Sequence, residues 1–328
     1  MRNNLLYLTI GLSLLLGACS KKSVEQPEGS DAPIAISVRV NDFTRNLSTR
    51  AVDTDPGSAS EQKIDNLYLL LFEKDGTNPK HYDVSGATFS GGTWSVAEQK
   101  ITLQLTQRQA GERKVYIIAN VDNALKSKLN AVTSITDLTN TVYREIATPW
   151  SPDIKSPILM SGNKEHNFKT NYQLKFVELT RAVAKVELTI KLTPKFYAMD
   201  VNAIRYRLVD WDKRAYAVKP NTKPDNLTSS ASTLFPNLIG WSQWSNTLNA
   251  TPTPDFGFGY REMGGNLIEL KLITYINERD SKGAKIELAL YPEDAGMLPP
   301  PEFGPEIYVL PFPDKIERNH WYKYDIEI

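Results

Sequence analysis

The residues able to do chemistry are few. There is a single cysteine, Cys19, and there are three histidines, His81, His166 and His320. One thiol makes no intrachain disulfide and no cysteine-based zinc site, and the histidines are too far apart in sequence to form a local metal motif. Two carboxylate pairs come into consideration. Asp210-Trp211-Asp212 could offer a cation two carboxylates, but nothing nearby supplies the six to eight oxygens calcium prefers. Glu262 and Glu269 could be imagined as a glycosidase pair, although carboxylates on strand edges are usually solvated. No Gly-x-Ser-x-Gly elbow occurs, and no phosphate-cradling Gly-x-x-x-x-Gly-Lys loop. The residues therefore call for no catalytic group, no metal and no cofactor.

Two other groups of residues could recognise or carry something. Trp241, Trp244, Phe256, Phe258 and Tyr260, spaced by Gly and Pro, could form a loop whose rings stack on sugars or on a protein partner, since aromatics lead as interface anchors. The simpler reading is that the same rings fill the second core. Cys19 is the other case. Met1-Arg2-Asn3-Asn4 gives a short positive start, and Leu5 to Leu16 is an almost unbroken apolar run. That run is too short for a bilayer span, which needs about 20 residues, and it reads as a signal peptide. It ends in Leu16-Gly17-Ala18-Cys19, the spacing of a lipoprotein processing box, in which the thiol accepts the lipid. Ser20 to Asp31 follows as a polar tether that cannot pack a core.

The elements that must position these residues announce themselves by alternation. The chain has 328 residues, enough for about two domains. Lys and Arg number 38 and Asp and Glu 38, so the net charge is zero, which argues against a nucleic-acid partner. Ile34, Ile36, Val38 and Val40 recur at every second position, as side chains on one face of a strand do. Ala182, Ala184, Val186, Leu188, Ile190 and Leu192 repeat the pattern, with Lys185, Glu187, Thr189 and Lys191 expected to face water. Ile268-Leu270-Leu272, Ala284-Ile286-Leu288-Leu290 and Tyr322-Tyr324-Ile326-Ile328 continue it. Leu67 to Phe72 and Val115 to Val121 are apolar on both faces and read as central strands. Only Asp122 to Tyr143 looks helical, with Ser134 and Asp137 placed like a capping box. Prolines between Pro292 and Pro313 imply loops or edges. The pattern predicts a mainly β chain with helical decoration, most simply two sandwiches, with a boundary near Val177 to Arg181.

One segment is odd. The strand Ile34 to Val40 is followed by a polar stretch, Asn41 to Glu61, containing Arg45 and Arg50. Small polar residues with Pro56 and Gly57 make an exposed loop, the preferred site of proteolytic nicking. A cut after Arg50 would detach the first strand. Its apolar side chains are worth roughly 1.5–3 kcal/mol each if buried, about 6–12 in total, against about 5–15 for a whole domain. A sandwich that lost this strand would expose a groove needing another strand, and strand addition is an established assembly mode. The alternative is that the strand stays put and the loop is merely a loop.

The chain resembles the fimbrillin family, the type V pilins and accessory subunits of Gram-negative anaerobes. The resemblance rests on the box at Cys19, the Arg-containing loop, and Ile64-Asp65-Asn66-Leu67-Tyr68-Leu69-Leu70-Leu71-Phe72. Val115-Tyr116-Ile117-Ile118-Ala119-Asn120, Ile158-Leu159-Met160-Ser161-Gly162, Leu179-Thr180-Arg181-Ala182-Val183-Ala184-Lys185-Val186 and Arg318-Asn319-His320-Trp321-Tyr322-Lys323-Tyr324 complete it. It implies two transthyretin-like β-sandwich domains in tandem. Residues 1–18 would be a lipoprotein signal peptide and 19–50 a lipidated propeptide holding the first strand. The N-terminal sandwich would span 51–178 and the C-terminal one 179–328. It further implies cleavage by an Arg-specific protease at the outer membrane, at Arg50–Ala51 with Arg45 as second choice. The strand Ile34 to Val40 would leave, and a donor strand from a neighbouring subunit would enter. Stalk fimbrillins continue past the Arg-Asn-x-x-Tyr strand with a tail that donates, whereas this chain stops at Ile328. That departure favours a tip or accessory subunit that contributes to adhesion. A permanently lipidated fimbrial anchor, or a lipoprotein binding host or bacterial surface glycans or proteins, is the alternative.

Overall fold

The structure, a computed structural model, describes residues 30–46, 53–145, 157–197, 205–227, 242–243, 257–290 and 306–328. The chain opens with β1 (Pro33–Val40), β2 (Phe43–Asn46), β3 (Asp53–Asp55), β4 (Leu67–Phe72), β5 (Lys80–Val84) and β6 (Thr88–Phe89). Then come β7 (Gly92–Ser95), β8 (Lys100–Thr106), α1 (Gln107–Ala110), β9 (Glu112–Ala119), α2 (Asn123–Asn130) and α3 (Ile135–Thr139). The middle of the chain holds β10 (Val142–Glu145), β11 (Met160–Asn167), β12 (Gln173–Arg181), β13 (Val183–Lys191), β14 (Arg205–Val209) and β15 (Arg214–Tyr216). The last strands are β16 (Ser242–Gln243), β17 (Gly257–Met263), β18 (Asn266–Asn277), β19 (Lys285–Leu290), β20 (Glu306–Pro311) and β21 (His320–Glu327).

The first sheet has nine strands in the order β5-β4-β9-β11-β12-β1-β8-β7-β6. Ile34, Ile36 and Val38 of β1 share one core with Leu67, Leu69 and Leu71 of β4, although three strands separate them, so the sheet folds over on itself as a sandwich. The turn falls at β11, where pairing with β12 is confined to Met160↔Arg181 and Ser161↔Thr180. Gly162 stands at this crossing because a Cβ there would lie 2.1 Å from the carbonyl oxygen of Glu178. The other face of β4 and β9, with Tyr68, Leu70, Phe72 and Ile118, is covered by Leu125, Leu129 and Leu138 of the helices. That double cover is why β4 and the 115–119 part of β9 are apolar at every position.

The second core lies between a seven-stranded sheet, β16-β17-β18-β13-β21-β2-β3, and a three-stranded one, β14-β19-β20. Ala184, Val186, Leu188 and Ile190 meet Leu270, Leu272, Ile286, Leu288 and Leu290 there. The mainly β, two-sandwich reading therefore holds. β12 continues to Arg181 in the first sheet and β13 begins at Val183 in the second, so the expected break at 178/179 falls inside β12.

Two local expectations need correction. The stretch Asp122 to Tyr143 holds the two short helices α2 and α3, but its end is the strand β10, drawn out of helical geometry by antiparallel pairing with β15. The capping box is present, with Ser134 Oγ accepting from the Asp137 amide at 3.1 Å and the Asp137 carboxylate accepting from the Ser134 amide at 2.9 Å. Lys185 and Glu187 do not face water but are buried, because both are paired: the Lys185 ammonium is 2.9 Å from Glu61 and Glu187 is 2.7 Å from Lys271.

Candidate functional site

β1 is an interior strand. It runs parallel to β12, with Ala35 opposite Gln173 and Val40 opposite Leu179, and antiparallel to β8, with Ala35 opposite Thr102 and Ser37 opposite Lys100. Ile34, Ile36 and Val38 are fully buried, as the alternation demands, while Arg39 points to the rim and pairs with Glu178. Main-chain bonds tie it in further: the Val38 amide donates to Gln99 O and the Asn41 amide to Leu179 O, both at 2.9 Å.

At Asn41 and Asp42 the chain crosses from the first sheet to the second. β2 then pairs in parallel with β21 (Thr44↔His320) and antiparallel with β3 (Thr44↔Thr54). The N-terminal segment is thus woven through both sheets. The crossover is held by Arg181, at the end of β12, which is fully buried. Its guanidinium donates to Glu61 O at 2.9 Å, Asn41 O at 2.8 Å, Pro56 O at 2.8 Å and Asn319 Oδ1 at 2.9 Å. The Phe43 ring lies flat against it, centroid 3.9 Å from Cζ, a desolvated cation–π contact. Asn319 Nδ2 donates to Asp42 O at 2.6 Å. Gly57, in the left-handed region at φ 77°, leaves room for this ring, since a Cβ there would be 2.9 Å from Phe43 Cε2.

The charge balance is local. Glu61 is buried, and burial works against its ionised form. The Lys185 ammonium, the Tyr275 hydroxyl donating at 2.5 Å and the Ser58 amide outweigh that cost and hold its carboxyl below the ordinary value of 4.5. Burial pulls Arg181 below the usual arginine value, with the Glu61 charge opposing. Lys185 also sits 4.2 Å from the centroid of Trp321, whose ring Arg45 shares at 4.7 Å.

Of the residues singled out from the sequence, Ile34, Ile36, Val38 and Val40 come together in one strand, with Val40 half-buried against the core. Arg45 lies inside β2, with its guanidinium on Asp53 at 3.1 Å and on Asp55. Cys19, Arg50, Ala51, Trp241, Trp244 and Phe256 lie outside the described residues. Phe258 falls in β17, and Tyr260 of the same strand is half-buried against the second core, so this ring serves packing. Asp212 is buried beside Lys223 at 3.6 Å and Glu269 is 2.8 Å from Arg261. Among the described residues no three His, Cys, Asp or Glu side chains gather as metal ligands. Arg181 and Asn319 lie within the family-like stretches without a role that the sequence reveals, and nothing local marks Phe43, Glu61 or Tyr275. A charged residue closing the alternating run of β12 was the available signal.

The N-terminal segment thus contributes a strand to each of two sheets. Residues 32–189 match the family model described as the major fimbrial subunit protein FimA, and residues 182–327 match that of the C-terminal part of the minor fimbrium tip subunit MfA4. The chain is 51% identical over 335 residues, covering 100% of both sequences, to the minor fimbrium tip subunit MfA4 of Porphyromonas gingivalis. Solved structures similar to it include a fimbrial assembly protein of Parabacteroides distasonis (16% identity, 89% of this chain and 90% of that one, TM-score 0.44). Another is the C-terminally truncated tip fimbrial protein Mfa3 of P. gingivalis (13% identity, 85% and 81%, TM-score 0.41). This chain belongs to the fimbrillin family of fimbrial subunits.

Proposed function

We propose that this fimbrial subunit serves at the tip of a cell-surface fimbria or as an accessory pilin, and that its N-terminal segment is a removable part. It is exported as an outer-membrane lipoprotein with lipid on Cys19. An Arg-specific protease then cuts after Arg50, and a strand from another fimbrial subunit takes the vacated place. Its work is structural and adhesive, without catalysis, and the aromatics around Trp241 and Trp244 are the candidates for contact with surface glycans or proteins. The units flanking Ala182 act as the two domains.

The observation that carries this reading is the place of β1: a buried interior strand joined to the rest of the chain through the stretch that contains Arg50. Arg45 is ill-suited to a protease, since a scissile residue must be drawn into an extended, free conformation and Arg45 is bound within β2. A cut after Arg50 separates β2 from β3, so the departing piece comprises both β1 and β2. Mass spectrometry of protein from sheared fimbriae tests the reading. We expect mature chains beginning at Ala51; filaments containing the intact 50–51 bond would overturn it.

A further inference from the structure

We infer that the crossover between the sheets is a reading frame for the incoming strand: Arg181 and Asn319 select a donor that spans both sheets and places an aromatic ring in the position of Phe43. This rests on the proposed exchange of the N-terminal segment and goes beyond it by stating the chemistry of the partner.

When residues up to Arg50 go, Arg181 keeps Glu61 O, Pro56 O and Asn319 Oδ1 but loses Asn41 O and the Phe43 ring. Asn319 Nδ2 loses Asp42 O. β12 loses a parallel neighbour along its length, and so does the start of β21. The groove left by β1 alone is apolar and asks only for alternation, so it fixes the face of a donor but tolerates a slip of two residues. Carbonyls recur along any donor, so Arg181 and Asn319 fix where its main chain crosses, and the seat of the Phe43 ring against Arg181 sets the register, because a slipped donor leaves that buried guanidinium without its aromatic cover. The cleft lined by Val40, Asn41, Thr44, Thr180, Arg318 and Asn319 opens on this point. The fitting occupant is therefore an extended segment of another fimbrial subunit, running as β1 runs. It carries β-branched or aliphatic residues at alternate positions, then two residues that offer carbonyls to Arg181 and Asn319, then an aromatic residue.

Competition on the full chain tests this. Protein nicked after Arg50, with the N-terminal segment still in place, is incubated with fluorescent peptides of the sequence of residues 30–46, of residues 30–40, and of 30–46 carrying Phe43→Ala or Phe43→Leu. We expect the 30–46 peptide to exchange in, the 30–40 peptide to bind roughly tenfold or more weakly, the Ala variant to resemble the short peptide, and the Leu variant to fall between. If the short peptide or the Leu variant binds as tightly as the long peptide, the reading-frame idea is overturned while strand exchange stands. If no peptide enters, exchange itself fails and this inference with it.

Discussion

β1 and β21 both lie inside a sheet with a parallel neighbour, yet they are fastened by different means. β1 is held by main-chain ladders and by Ile34, Ile36 and Val38, its polar contact being Arg39 with Glu178 at the exposed rim. β21 is entered through residues that bind by name. Arg318 pairs with buried Glu278, Asn319 turns at φ 60° and donates to Val183 O at 2.8 Å, and the Tyr322 hydroxyl accepts from the Glu317 amide at 2.9 Å. A seat fastened by alternation and backbone alone can be refilled by another chain with the same period. A strand that itself carries the buried polar side chains, as β21 does, cannot be replaced by a chain lacking them.

The largest effect that could break this contrast concerns Arg50. Arg50→Ala should abolish processing and keep the protein out of sheared fimbriae, as read by immunoblot and peptide mass; normal incorporation of the uncut chain would remove the difference between the two strands. Next is the fastening of β21. Glu278→Ala leaves Arg318 buried without its carboxylate and should cost about 3–5 kcal/mol in chemical denaturation of the precursor. The apolar seats then sharpen the comparison. Ile36→Ala should destabilise the precursor by about 2–5 kcal/mol but leave the mature chain unaffected, since the residue departs. Leu188→Ala in β13 should harm both forms alike.

A smaller effect follows from Glu61. Its folded pKa lies below the ordinary 4.5, so its contribution is complete above that pH and is lost as the pH falls through the folded value. Acid unfolding followed by circular dichroism should therefore steepen below about pH 4.5 in both precursor and mature protein, and Glu61→Gln should flatten that limb. The smallest effect belongs to Arg45. Its pairs with Asp53 and Asp55 are half-exposed, so Arg45→Ala should cost about 1 kcal/mol or less and leave the cut after Arg50 in place.

How far the residues foretold this depends on the range of the interaction. Alternation at Ile34 to Val40 and Ala184 to Ile190, and unbroken apolar runs at Leu67 to Phe72, are local patterns and name their strands directly. That β1 lies between β12 and β8 is not local, because Val40 meets Leu179 across most of the first sandwich's sequence. β2 and β3 were hidden for the same reason: Phe-Thr-Arg-Asn and Asp-Thr-Asp have no period of their own and are strands because β21 offers an edge. The Arg181 cluster draws on Asn41, Pro56, Glu61 and Asn319, and no spacing rule links such positions. Lys185 and Glu187 were misread as solvated because period two gives the faces of a strand but not what covers the second face.

The small sheet of β10 and β15 has a mechanical meaning. It joins a strand that follows the first sandwich's helices to one that belongs to the second half of the chain, and Glu145 reinforces it through Arg214 at 3.0 Å and Asn226 at 2.7 Å. Among the described residues it fastens the halves at a point separate from Arg181, so a load across the junction is shared between strands rather than borne by one linker.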